Sequence, residues 1–116
     1  MTAGQTPEGI ALSPDSKYVA VTVMNGSNKP INSPFYNALG LVKLYKVVGQ
    51  KLVYVSQAPT GVWTQGAAFS ADSKTLLVQN KEQKELQVLR IAGDKLVDTR
   101  QRIGLTAGPA GIRTAR

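Results

Sequence analysis

The chain repeats itself. Residues 7–17 read PEGIALSPDSK and residues 64–74 read TQGAAFSADSK. Gly9, Ser13, Asp15, Ser16 and Lys17 return as Gly66, Ser70, Asp72, Ser73 and Lys74 at one constant spacing. A second set follows at its own spacing: Gly49, Lys51, Leu52 and Val53 return as Gly93, Lys95, Leu96 and Val97. A third copy opens at Gly108, Pro109, Ala110, Gly111 and Ile112, close to the last residue. A period of this size marks stacked supersecondary units, each too small to bury its apolar face alone.

Each copy reads as four strands. In the first, residues 9–13 are short, small and apolar, and Pro14-Asp15-Ser16-Lys17 is a turn. Pro presets φ and Asp accepts from the backbone two residues on. Residues 18–24 form a β-branched run with the character of a strand buried on both faces. Residues 41–48 and 52–57 complete the unit, separated by Gly49-Gln50. The second copy follows the same plan over 66–70, 75–80, 85–91 and 95–103. Its last strand alternates Leu96, Asp98, Arg100 and Arg102 against Val97, Thr99, Gln101 and Ile103, as a solvated outer strand does. No segment has helical periodicity.

Each copy therefore runs from a small, crowded first strand to a wetter last strand. That gradient predicts the blade of a β-propeller, whose inner strands meet at the axis while the outer strands splay into water. The expected fold class is all-β: two four-stranded antiparallel blades plus one extra inner strand, part of a larger ring. Residues 1–58 form the first blade with a long loop at 25–39, 59–106 the second, and 107–116 a closing inner strand.

The run Pro7-Glu8-Gly9-Ile10-Ala11-Leu12-Ser13-Pro14-Asp15-Ser16-Lys17-Tyr18-Val19-Ala20-Val21-Thr22 resembles the blade signature of the lactonase-like, YVTN-type β-propellers. The resemblance covers nearly the whole chain and implies the C-terminal two blades, plus the closing strand, of a longer propeller. One departure is that Ser16 and Ser73 replace the turn Gly of that signature. A left-handed backbone there costs a non-Gly residue about 1 kcal/mol.

Composition narrows the chemistry. The chain has neither Cys nor His. Disulfide and thiolate chemistry are excluded, and the commonest general base and transition-metal ligand are missing. The net charge is +7. It is spread along the strands, unlike the patch of a nucleic-acid binder, so specific nucleic-acid binding is not expected. No apolar run reaches the roughly 18–20 residues that span a bilayer, and no signal peptide precedes the first strand. Compartment is not readable. The sequence has no phosphate loop, dinucleotide fingerprint, metal-ligand spacing or nucleophile elbow, so no cofactor, metal or catalytic residue is assigned.

Function is expected at one mouth of the ring, where the resemblance places loops 25–39, 58–65, 80–84 and 106–110. Loop 25–39 is thirteen residues longer than its counterpart. Loops of that length are often binding loops, and are equally often tolerated insertions. It carries Asn25, Asn28, Tyr36 and Asn37. Trp63 offers a stacking face or an inter-blade plug. Glu8 precedes the first inner strand, and Gln65 holds the same place in the second copy. These seven residues are the candidate ligand or partner contacts. The resemblance implies channel carboxylates for sugar-lactone hydrolysis, yet Glu8 has no acidic counterpart. Asp15 and Asp72 are read as turn caps.

Two functions follow. One is a non-catalytic segment that binds a small molecule or protein at the mouth, or serves as scaffold. The other is part of a sugar-lactone hydrolase, 6-phosphogluconolactonase-like, whose catalytic residues lie mostly outside this chain. The isolated chain is expected to be inactive and to self-associate or pair with other blades, with Val19, Val21, Leu76 and Leu77 near its uncovered faces.

Overall fold

The computed structural model describes residues 7–23, 39–61, 64–81 and 83–105. They form eight strands in two sheets. The first sheet holds β1 (Pro7–Leu12), β2 (Tyr18–Val23), β3 (Leu41–Val48) and β4 (Lys51–Pro59) in that order. The second holds β5 (Thr64–Phe69), β6 (Thr75–Asn80), β7 (Glu85–Ala92) and β8 (Lys95–Gly104), again in chain order. Every neighbouring pair is antiparallel. Among the described residues there is no helix, and so none long and apolar enough to cross a membrane.

The repeat explains the shared hairpins. Asp15 Oδ1 accepts from Ser13 Oγ at 2.6 Å and from the Lys17 amide at 3.0 Å. Asp72 does the same with Ser70 at 2.5 Å and Lys74 at 3.0 Å. Both aspartates are the expected turn caps. Their serine partners hold both carboxyls below the ordinary value, helped by the lysine amides. Ser16 and Ser73 both have φ of 62°, the left-handed conformation that favours Gly. Gly49 and Gly93 turn the second hairpin of each sheet at φ of 61° and 63°.

One core lies between the sheets. Ala20, Val42, Leu44 and Ala58 of the first sheet pack on Ala67, Phe69, Leu76, Val78, Leu89 and Leu96 of the second. By strand alternation Val19, Val21 and Val23 point to the opposite face, where they form a second buried cluster with Tyr45. Leu76 is fully enclosed between the sheets because it pairs with Phe69 and Leu89 on the facing side. Val19, Val21 and Leu76 are therefore not uncovered surface; Leu77 is half-buried.

The last strand is less regular than its alternation implied. Between Gln87 and Leu89 the partner strand runs from Arg102 to Asp98, a bulge in which Arg100 has φ of 65°. Asp98 and Arg102 still share one face, and Arg100 is turned out of the alternation.

Candidate functional site

Val23, Leu41, Pro59, Thr64, Asn80, Glu85 and Gly104 all lie at one end of the two sheets, as the register requires. This end carries the segments expected at the mouth. Asn25, Asn28, Tyr36, Asn37 and Trp63 lie outside the described residues, as does the closing strand 107–116. Glu8 is in β1, but its side chain is likewise outside them. Gln65 is described, in β5.

The Glu8 and Gln65 positions coincide with irregularities in their strands. Pro7 pairs with Val23 and Gly9 with Thr22, so Glu8 is one residue too many in β1. In β5, Thr64 pairs with Asn80 and Ala67 with Val78, which leaves an extra residue in the Gln65-Gly66 step. Such bulges re-aim side chains and break the ladder. The freed groups find Thr22. Its fully buried hydroxyl accepts from the Gly9 amide at 2.8 Å and donates to the Gln65 carbonyl at 2.6 Å. One hydroxyl thus joins the first strands of both sheets. A Cβ on Gly9 would meet the Gln65 carbonyl oxygen at 2.6 Å and Gly66 Cα at 3.0 Å. The crowding expected of innermost strands is real, and Gly9 is what permits it.

A closed ring of polar side chains occupies the same end. Asn80 Nδ2 donates to Glu85 Oε2 at 3.2 Å and to Gln87 Oε1 at 3.1 Å. Gln87 Nε2 donates to Asp98 Oδ2 at 3.1 Å. Arg102 grips Asp98 through two bonds of 3.0 Å and reaches Glu85 at 3.1 Å, which closes the circuit. The guanidinium holds the Asp98 carboxyl below its ordinary value, and Asp98 in turn raises Arg102. The ring faces the first sheet and clasps it. The Gly61 amide donates to Asn80 Oδ1 at 2.9 Å, and Gln87 Nε2 also donates to the Pro59 carbonyl at 3.2 Å. Thr60 and Thr64 share a buried hydrogen bond of 2.5 Å, and Thr64 Oγ1 also reaches the Gly61 carbonyl at 3.1 Å. Asn80 and Gln87 are buried with these bonds made, which avoids the penalty of an unsatisfied interior polar group.

Sequence reasoning marked loops 58–65 and 80–84 but not these residues. Thr60, Thr64, Asn80 and Gln87 have no counterparts that the repeat would highlight: Val23 and Lys43 stand where Asn80 and Gln87 do. A break in the repeat was the available signal. Among the described residues no group of three or more acidic side chains could hold a metal ion.

No protein-family model matches the chain, and no curated protein matches it in sequence. Solved structures do. A protein assigned as a 6-phosphogluconolactonase from Bacteroides fragilis superposes with a TM-score of 0.72 at 24% identity, over 95% of this chain and 30% of its own. The periplasmic gluconolactonase of Pseudomonas aeruginosa gives 0.65 at 20% identity, over 83% and 27%. The hydrazine synthase of Kuenenia stuttgartiensis gives 0.67 at 20% identity, over 98% and 27%. The chain spans less than a third of the length of these structures. The two sheets are thus adjacent blades of the propeller type found in lactonases. Proteins named for unrelated chemistries share it, so the likeness identifies architecture and not activity.

Proposed function

We propose that this chain acts as a two-blade scaffold in a YVTN-type, lactonase-like propeller, holding mouth loops in place for binding and not supplying catalytic groups itself. The observation that carries this reading is the polar ring. Its two carboxylates, Glu85 and Asp98, are both spent on Arg102. A general acid or base needs an available carboxylate with its pKa near the working pH, and Asp98 is moved the other way. The ring instead fixes the 59–61 segment against the second blade, at the end where the four loops attach.

A second reading has a specific observation behind it: neighbours named as lactonases superpose over most of the chain. In that reading the blades belong to a sugar-lactone hydrolase whose reacting groups come from elsewhere in a complete ring.

Hydrolysis of 6-phosphogluconolactone and glucono-lactone by the chain tests the scaffold reading. The scaffold reading predicts no rate above that of buffer. Turnover that disappears in Glu8→Gln would overturn it and make Glu8 a catalytic carboxylate.

A further inference from the structure

The outer strands β4 and β8 occupy equivalent places in the two copies. Lys51, Leu52, Val53 and Tyr54 correspond to Lys95, Leu96, Val97 and Asp98. Among the described residues each strand has a neighbour on one side only. A free edge is a template for strand addition unless something blunts it.

β8 is blunted at several points. The Leu96 amide donates to Ser56 Oγ at 3.0 Å, the Arg100 amide to Asp98 Oδ1 at 2.8 Å and the Gln101 amide to Thr99 Oγ1 at 3.2 Å. The bulge at Arg100 bends the strand, and Asp98 and Arg102 put charge along it. Over its first four residues β4 has only the charge of Lys51, and its own bulge comes after them, at Val55. They pair regularly with Val48, Val47, Lys46 and Tyr45. Among the described residues no side-chain oxygen accepts a β4 amide. Leu52, Val53 and Tyr54 are 39%, 46% and 51% exposed, three consecutive apolar side chains of high strand propensity.

We propose that the β4 edge is a docking site for a second copy of this chain, joined β4 to β4 in an antiparallel pair with the two-fold axis at Val53. That register is self-complementary. Leu52 lies opposite the second copy's Tyr54 and Val53 opposite its own equivalent, and the regular pairing ends at the bulge of Val55, which has no partner in β3. Leu52 and Tyr54 share the face of Val47 and Tyr45, so the edge-to-face contact of Tyr45 with Tyr54 continues across the seam. Val53 shares the other face with Lys46. The two copies of Lys46 then stand three strand spacings apart, about 14 Å, beyond the screening length at physiological salt. Each is already paired with Asp94 at 3.5 Å. The run Leu52–Val55 has no charge with which to select an acidic strand, and the two-fold pairing covers both free edges at once.

A seam this short lies at the small end of protein interfaces, below about 1,200 Å², so the dimer depends on concentration. Each copy carries +7, so added salt strengthens it.

Sedimentation equilibrium of the full chain, with substitutions at the paired positions, tests the proposal. Val53→Lys sets like charges opposite each other and should weaken dimerisation about tenfold or more. Val97→Lys, at the equivalent and similarly exposed position of β8, should change it less than about twofold if only the β4 edge docks. Thermal unfolding checks that both variants fold. The chain has no Cys, so Val53→Cys and Val97→Cys give an independent readout: oxidation should yield a covalent dimer of the first and not of the second. A monomer at all concentrations overturns the proposal. Equal weakening by the two lysines, or equal cross-linking at the two sites, also overturns it. A monomer that instead captures an unrelated extended peptide at β4 would assign the edge to another partner and refute self-pairing.

Discussion

Ser16 and Ser73 share one φ and differ in surroundings, so replacing each by Gly separates backbone strain from contact. Both are at 62°. Relieving an L-residue in the left-handed region gains about 1–2 kcal/mol. The added freedom of Gly in the unfolded chain takes back about 0.4–1 kcal/mol. Ser16 is exposed and its hydroxyl has no hydrogen bond among the described residues. Ser16→Gly should therefore stabilise the fold by about 0.5–1 kcal/mol. Ser73 is buried, and its Oγ accepts the Asp15 amide at 3.1 Å, a bond from one blade to the other. Losing it costs about 0.5–1.5 kcal/mol, which cancels the gain. Ser73→Gly should be neutral to mildly destabilising, about 1 kcal/mol below its twin. Urea unfolding at one fixed protein concentration measures both, read from midpoints at constant slope. Equal effects of the two substitutions would show that the Ser73–Asp15 bond contributes nothing. A destabilising Ser16→Gly would show that the turn is not strained.

Gly9→Ala should lose about 1–3 kcal/mol, because the new methyl meets backbone of the other blade; Gly104→Ala, with nothing within 4 Å, is the control and should be near neutral in the same urea titration. Tyr18 donates to Asp94 Oδ1 at 2.5 Å and to the Gly93 carbonyl at 3.0 Å, and the Asp94 bond pushes its hydroxyl up to about 12. Its contribution is complete below its unfolded value of about 10 and is lost as pH rises through about 12, so the stability gap between the native chain and Tyr18→Phe should close over that window. Asp98 is depressed by Arg102, so its contribution is present above its unfolded value of about 3.9 and is lost as pH falls through its lower folded value. Asp98→Asn should lower stability at neutral pH and flatten the acid limb of a pH-dependent melting series; an unchanged acid limb would show that the Asp98–Arg102 pair does not stabilise the second blade.

The repeat made most of the fold legible. Ser13, Asp15 and Lys17 recur because the same turn chemistry is needed twice, and Gly9 and Gly66 meet where the first strands abut. The wetter fourth strands fixed which end of each unit faces outward. The polar ring was not legible, because Asn80, Gln87 and Asp98 come from three strands and read singly as ordinary strand residues. Only pairing brings them to one face, and their partners at Pro59 and Gly61 are backbone groups that a sequence does not display. The bulge at Arg100 was hidden for the opposite reason: the local alternation from Leu96 to Ile103 was regular enough to look like an undisturbed strand.

The central claim is that the two copies are neighbouring blades whose first strands abut. Nuclear Overhauser spectroscopy of the folded chain tests it at the tightest point. The account predicts a strong cross-peak between the Hα protons of Gly9 and Gly66, whose backbones approach so closely that a Cβ on Gly9 would lie 3.0 Å from Gly66 Cα. It predicts a second between the Thr22 methyl and the Gly66 amide, next to the carbonyl that accepts the Thr22 hydroxyl. A folded chain that shows the cross-strand peaks within each sheet but neither of these would contradict it.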